Sequence, residues 1–122
     1  MATPPRELHP ETTYLVTRRV TQRLFLLTPK PVVRQVCLYC LAYLLSKRKI
    51  SLHAFVFLSN HLHLLLTDHE TDLPDFSRTL FSLIASALNV YHKRSENLWS
   101  TAGGGPSYVE LGGLVENIDV LA

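Results

Sequence analysis

The side chains of this 122-residue sequence best suited to chemistry sit in one run, Ser59-Asn60-His61-Leu62-His63-Leu64-Leu65-Leu66. If the run is a strand, residues two apart project to the same side, and His61 and His63 present their imidazoles together. Two neutral imidazoles side by side can bind Mn²⁺, Mg²⁺ or Zn²⁺ and leave positions open to water or a phosphate oxygen. An ion held there would polarise a phosphodiester and offset the charge that builds as it breaks. A histidine–apolar–histidine triplet also arises by chance, so its meaning depends on its surroundings. The other histidines, His9, His53, His69 and His92, have no comparable spacing. His53 alternates into the preceding strand, as a third ligand or as a partly buried core residue.

Other chemistry-bearing residues have plainer readings. Cys37 and Cys40 form a lone C-x-x-C on an apolar helix, with no second pair to complete a zinc site, and read as core thiols. The net charge of +2 does not by itself announce a nucleic-acid binder. Basic residues do cluster, at Arg18, Arg19 and Arg23, at Lys47 to Lys49, and at Lys93 and Arg94. Solvated helix ends and strand edges are the alternative reading of such clusters.

The elements that must position these groups follow from periodicity. A hydrophobic fraction of 47% with 18% charged residues describes a folded chain of one domain. Thr13–Val20 and Arg23–Thr28, rich in β-branched and large apolar residues, read as one bent strand or two short ones. Pro31 suits the first turn of a helix that runs to about Lys47, with apolar residues at three- and four-residue steps. Ser51–Leu58 and His61–Thr67, separated by Ser59-Asn60, read as an antiparallel hairpin. Thr71-Asp72-Leu73-Pro74-Asp75 carries a cap, a proline and a first-turn acid, and opens a second helix that continues to Lys93-Arg94. After Trp99 comes a Gly103-Gly104-Gly105-Pro106 loop, and a last helix could start at Val115. This order predicts an α+β fold, with helices on one face of an antiparallel sheet. Residues 13–100 form its core and 101–122 a flexible loop and C-terminal segment. The N-terminus lacks signal-peptide character, and the longest apolar run, Cys37–Leu45, is about half a membrane span. The expectation is a soluble, cytoplasmic protein with no membrane partner.

The run Ala54–Leu66, AFVFLSNHLHLLL, resembles the signature strand pair of HUH-type single-tyrosine transposases. It is most similar to the REP-associated tyrosine transposases, with their IS200-like domain. Thr13–Leu27 is similar to that family's opening strand, and LPDFSRTLFSLIASALNVYHKRSENLW to its helix and linked tryptophan, so the resemblance spans Thr13–Trp99. It implies a ferredoxin-like domain with two main helices on one face, often dimeric, that binds hairpins in single-stranded DNA. It also implies a divalent metal, Mg²⁺ or Mn²⁺, on His61 and His63. A tyrosine on the following helix then attacks the phosphodiester, leaving a 5′-phosphotyrosine link and releasing a free 3′-hydroxyl. Arg18, Arg19, Lys93 and Arg94 would lie near the DNA backbone.

The family pattern fails at the nucleophile. Matching the helix on Asn89 and Trp99 puts the tyrosine at Ile84, or at Leu83 with a one-residue slip, and a further polar ligand at Leu88 or Ala87. All four are aliphatic. Tyr91 is the substitute on the same helical face, although seven residues along a helix is roughly 10 Å. Tyr108 is a weaker candidate, and Tyr14, Tyr39 and Tyr43 read as packing residues. The sequence ends within what resembles the start of a helix, as a truncated copy would. Three functions remain open: an active transposase, a catalytically dead module that binds a DNA hairpin, and a hydrolase in which Glu70 or Asp68 activates water beside the histidines.

Overall fold

Along Ile50–Asp68 the chain folds into the expected hairpin, and its second strand sets the architecture by alternation. Leu62, Leu64, Leu66 and Asp68 are buried, whereas His61, His63, Leu65 and Thr67 are only partly covered. One side of the strand therefore meets the core and the other faces outward. The computed structural model describes residues 9–101 and 105–111. It consists of β1 (Thr12–Arg19), α1 (Pro31–Leu45), β2 (Ile50–Leu58), β3 (His61–Asp68), α2 (Leu73–His92) and β4 (Ser107–Glu110), with a short 3-10 turn at Thr21–Arg23.

The strands form one sheet in the order β2-β3-β1-β4, and every neighbouring pair is antiparallel. Each helix connects two strands that have a third strand between them, the split βαβ arrangement of ferredoxin-like folds. Both helices pack on the side of the sheet that carries Tyr14, Val16, Leu62, Leu64 and Leu66. They contribute Val33, Cys37, Cys40, Leu41 and Leu44 from α1, and Phe76, Leu80, Ile84 and Leu88 from α2. Burying a leucine of this kind stabilises the fold by roughly 1.5–3 kcal/mol. Cys37 and Cys40 are free thiols within this core, as expected. Burial pushes the Cys37 thiol up to about 12, with a smaller contribution from Cys40.

Four local features differ from expectation. Arg23–Thr28 forms no strand, because Gln22 (φ 51°) and Arg23 (φ 55°) turn the backbone out of the β1 direction. Asp72 occupies the N-cap position of α2 but makes no capping hydrogen bond with its side chain. The cap comes from the buried Asp68, whose carboxylate accepts hydrogen bonds from the backbone N–H of Asp72 and Leu73, both at 2.9 Å. Tyr39 and Tyr43 are 72% and 49% exposed rather than packed. Finally, 101–122 contributes Ser107–Glu110 as a fourth strand on β1. The helix expected at Val115 lies outside the described residues.

The link from α2 to the tryptophan also has a defined course. Val20 and Trp99 form an isolated bridge, flanked by hydrogen bonds from Thr21 N to Leu98 O and from Ser100 N to Arg19 O. The Trp99 indole N–H donates to Phe81 O at 2.7 Å, which fastens the segment to α2.

Candidate metal centre on the open face of the sheet

His61 and His63 stand on the side of β3 opposite the helices, with ring centroids 5.0 Å apart and planes nearly perpendicular at 87°. Strand register supplies their neighbours. Arg19 of β1 and Leu58 of β2 lie opposite His61, and Thr17 and Val56 lie opposite His63. The ring nitrogens nearer the backbone are both engaged. His61 Nδ1 is 2.8 Å from Asn60 Oδ1, an oxygen that can only accept, so Nδ1 carries the proton and Nε2 keeps its lone pair. His63 Nδ1 and Thr17 Oγ1 are 2.9 Å apart, and donation from Nδ1 gives His63 the same tautomer. Outer hydrogen bonds of this type orient imidazoles for metal ligation through Nε2.

Electrostatics favour the neutral form that ligation needs. Desolvation lowers the pKa of His61 below its ordinary value, and His63 and the Arg19 guanidinium add to the effect. The donor set suits a divalent ion with two imidazoles and open positions. Among the described residues, no third histidine, cysteine or carboxylate joins them. His53, the possible third ligand, instead has its Nε2 2.6 Å from Thr67 Oγ1.

The other expected site residues are dispersed. Arg18 and Arg19 are adjacent in β1 and therefore point to opposite faces: Arg19 is exposed beside His61, whereas Arg18 lies on the helix side over the Phe81 ring. Lys93 caps α2 in a left-handed conformation (φ 57°), and Arg94 is 3.7 Å from Glu96. Ile84 and Leu88 are 1% and 0% exposed within the core, so no part of the apolar stripe of α2 faces the imidazoles. Tyr91 is 40% exposed near the end of α2, edge-on to His92. That helix end lies at the histidine end of the sheet, because His92 Nε2 is 2.8 Å from Leu26 O and Leu27 N donates to Ser59 O. Tyr108 is opposite Val16 and shares its helix side, 6.4 Å from the Tyr14 ring.

Neither carboxylate expected beside the histidines is there. Asp68 is five residues beyond His63 along β3, about 17 Å away, and is occupied as a helix cap. Glu70 pairs with Lys49 at 3.1 Å. Thr17 is the site residue that sequence reading missed, since only strand register brings it to His63.

No family model matches the sequence, and no curated protein does. Solved structures do match. A REP-associated tyrosine transposase bound to a REP hairpin superposes with a TM-score of 0.75 at 18% identity, covering 98% of this chain and 68% of that one. A protein from Deinococcus radiodurans R1, taken to be a transposase, superposes with a TM-score of 0.65 at 16% identity, covering 98% and 94%. No described helix is long and apolar enough to cross a membrane. With its sheet order and both helices on one face, this chain has the fold of the REP-associated tyrosine transposase on which it superposes.

Proposed function

We propose that this chain is a transposase-type domain that binds a hairpin in single-stranded DNA and presents a phosphodiester at His61 and His63. The observation that carries this reading is the orientation of the two imidazoles. They project from one strand onto an open face with both Nδ1 atoms held, one by Asn60 and one by Thr17. A divalent ion, Mg²⁺ or Mn²⁺, on the two Nε2 atoms would supply Lewis-acid polarisation of the phosphate. Arg19, exposed opposite His61, adds a cation for the strand entering the site. Lys93, exposed at the end of α2, is a further cation near that end of the sheet, whereas Arg94 is turned to Glu96.

The nucleophile is the open part of this reading. Each of the five tyrosines has a place in the structure, and none is on the histidine face. Tyr91, exposed near the end of α2, would reach the histidines only if its own helix moved or if a second copy of the chain delivered it. Without either, the domain binds DNA and does not cut it.

End-labelled hairpin oligonucleotides incubated with the protein and Mn²⁺, then resolved on a denaturing gel, separate these outcomes. A covalent protein–DNA band that disappears in Tyr91→Phe and in His61→Ala establishes cleavage by Tyr91. Hairpin binding with no adduct and no cut strand establishes the binding module. Cleavage with no protein attached contradicts a tyrosine nucleophile and points to activated water.

A further inference from the structure

The open face carries another histidine at the end of the sheet away from His61 and His63. Ser51 of β2 lies opposite Thr67 of β3, and His69 follows β3 directly after Asp68. The His69 backbone N–H donates to Lys49 O at 3.1 Å, which continues the pairing one step past Ile50 and Asp68. Glu11 stands just before β1, whose first residue, Thr12, is also opposite Asp68. Strand register thus brings together three residues that are far apart in the sequence.

Their side chains form one line of hydrogen bonds. Ser51 Oγ is 2.7 Å from His69 Nε2, and His69 Nδ1 is 2.7 Å from Glu11 Oε2. An ionised carboxylate only accepts, so the single proton of the neutral ring sits on Nδ1. Nε2 then accepts from the Ser51 hydroxyl. Hydroxyl to base, and base to carboxylate, is the order in which a serine nucleophile is activated. The contrast with the metal pair is at Nε2, where His69 already meets a hydroxyl. Lys49 is turned to Glu70 at 3.1 Å, which leaves Glu11 to His69. Glu11 reaches the ring from a left-handed backbone conformation, φ 55°, that residues other than glycine rarely adopt. Such a conformation persists where surrounding contacts hold it.

We propose that Ser51 is an activated nucleophile toward small acyl esters, with His69 as its general base and Glu11 as the residue that positions the base. Ser51 Oγ attacks the ester carbonyl carbon while its proton passes to His69 Nε2. When the bond to the leaving group breaks, the departing oxygen takes that proton, and an acyl-serine remains. Water, giving a proton to His69, then attacks the acyl carbon, and Ser51 Oγ leaves with the proton from Nε2. Ser51 is exposed and His69 is partly exposed, so an ester reaches the hydroxyl from solvent. At such a surface water solvates the oxyanion, and the acceleration is that of base catalysis alone, about 100-fold. The inference is independent of the DNA-handling reading and routes no step through a metal.

Two probes test it on the full chain in the presence of a chelator. One is p-nitrophenyl acetate, followed by release of p-nitrophenolate; the other is a fluorophosphonate, which phosphonylates an activated serine with loss of fluoride. The expected result is saturable ester turnover about 100-fold above that of Ser51→Ala, with the phosphonyl group located to Ser51 by peptide mass spectrometry. His69→Gln should abolish both signals, and Ser51→Cys should retain acylation by the ester. Loss of one charge-assisted hydrogen bond in Glu11→Gln should lower kcat about tenfold with KM unchanged. Glu11→Asp should recover part of that loss, a pattern that a mere tether between β1 and the hairpin would not give. None of the three positions is buried, so circular dichroism should show every variant folded. Labelling of another residue, turnover that survives Ser51→Ala or His69→Gln, or no reaction with either probe would overturn the proposal. Turnover that appears only without the chelator would overturn it too, in favour of the metal centre. A wild-type kcat in Glu11→Gln would overturn the positioning role.

Discussion

On one side of β3, Leu62, Leu64 and Leu66 are sealed beneath two helices; on the other, His61 and His63 stand beside Thr17 and Arg19 with no helix of the described residues above them. Alternate residues of a single strand thus serve two purposes under different constraints. The leucine side carries stability, since each side chain there fills a closed volume. The histidine side is where the proposed chemistry would lie: its two imidazoles are only partly buried, and each is held by a hydrogen bond at Nδ1. Substitutions should separate the two sides: those on the first unfold the protein, and those on the second disarm a folded one.

The largest effect expected is at Leu64. Leu64→Ala leaves a cavity under both helices and should cost about 2–5 kcal/mol in denaturant unfolding. By contrast, His63→Ala, one residue away on the other side, should change stability by less than about 1 kcal/mol while removing Mn²⁺ binding. Comparable destabilisation by the two would break the division between the faces. Next is Asp68→Ala, which orphans the first N–H groups of α2 and should cost about 2 kcal/mol. A neutral result there would mean that α2 is capped some other way.

The same division explains what could be read in advance. The hairpin and both helices were legible, because alternation over Ser51–Thr67 and three- and four-residue spacing after Pro31 and Leu73 each extend over many residues. Strand β4 was not, since Ser107–Glu110 is four residues long, mostly exposed, and held only by its pairing with β1. The loss of a strand at Arg23–Thr28 depends on positive φ angles at Gln22 and Arg23, which residue types there do not announce. The placement of His61 and His63 on one side of β3 was legible from their spacing alone, whereas Thr17 required the register of β1 on β3.

The expected nucleophile position is more instructive. Alternation along β3 already assigns the leucines and the histidines to opposite sides, and the apolar stripe of α2 must follow the leucines. Ile84 therefore could not face the imidazoles, and neither could any residue on its stripe. The same alternation separates Arg18 from Arg19, two residues that sequence proximity had joined in one basic patch.

Smaller effects sharpen the comparison further. Cys37, its thiol pushed up to about 12 by burial, should resist alkylation at pH 8 in the folded protein and react on unfolding, as should Cys40. Rapid native labelling would mean that the helix side opens. On the histidine side, the folded-state pKa of His61 lies below its ordinary 6.5. The unfolded chain then binds more protons, so this contribution to stability is present above pH 6.5 and is lost as pH falls through the folded value. His61→Gln should flatten that part of the stability–pH curve, and an unchanged slope would assign it elsewhere.

The central claim is that two oriented imidazoles on the open face form a metal centre. Titration of Mn²⁺ into the wild-type chain and the His61→Ala, His63→Ala and Thr17→Val variants, followed by electron paramagnetic resonance, tests it most directly. The expected result is one saturable site in the wild type, lost in either histidine variant. Thr17→Val should weaken it by about 10- to 100-fold, as loss of an outer hydrogen bond does. A site that survives His61→Ala and His63→Ala together, or no site in the folded wild type, would contradict the account.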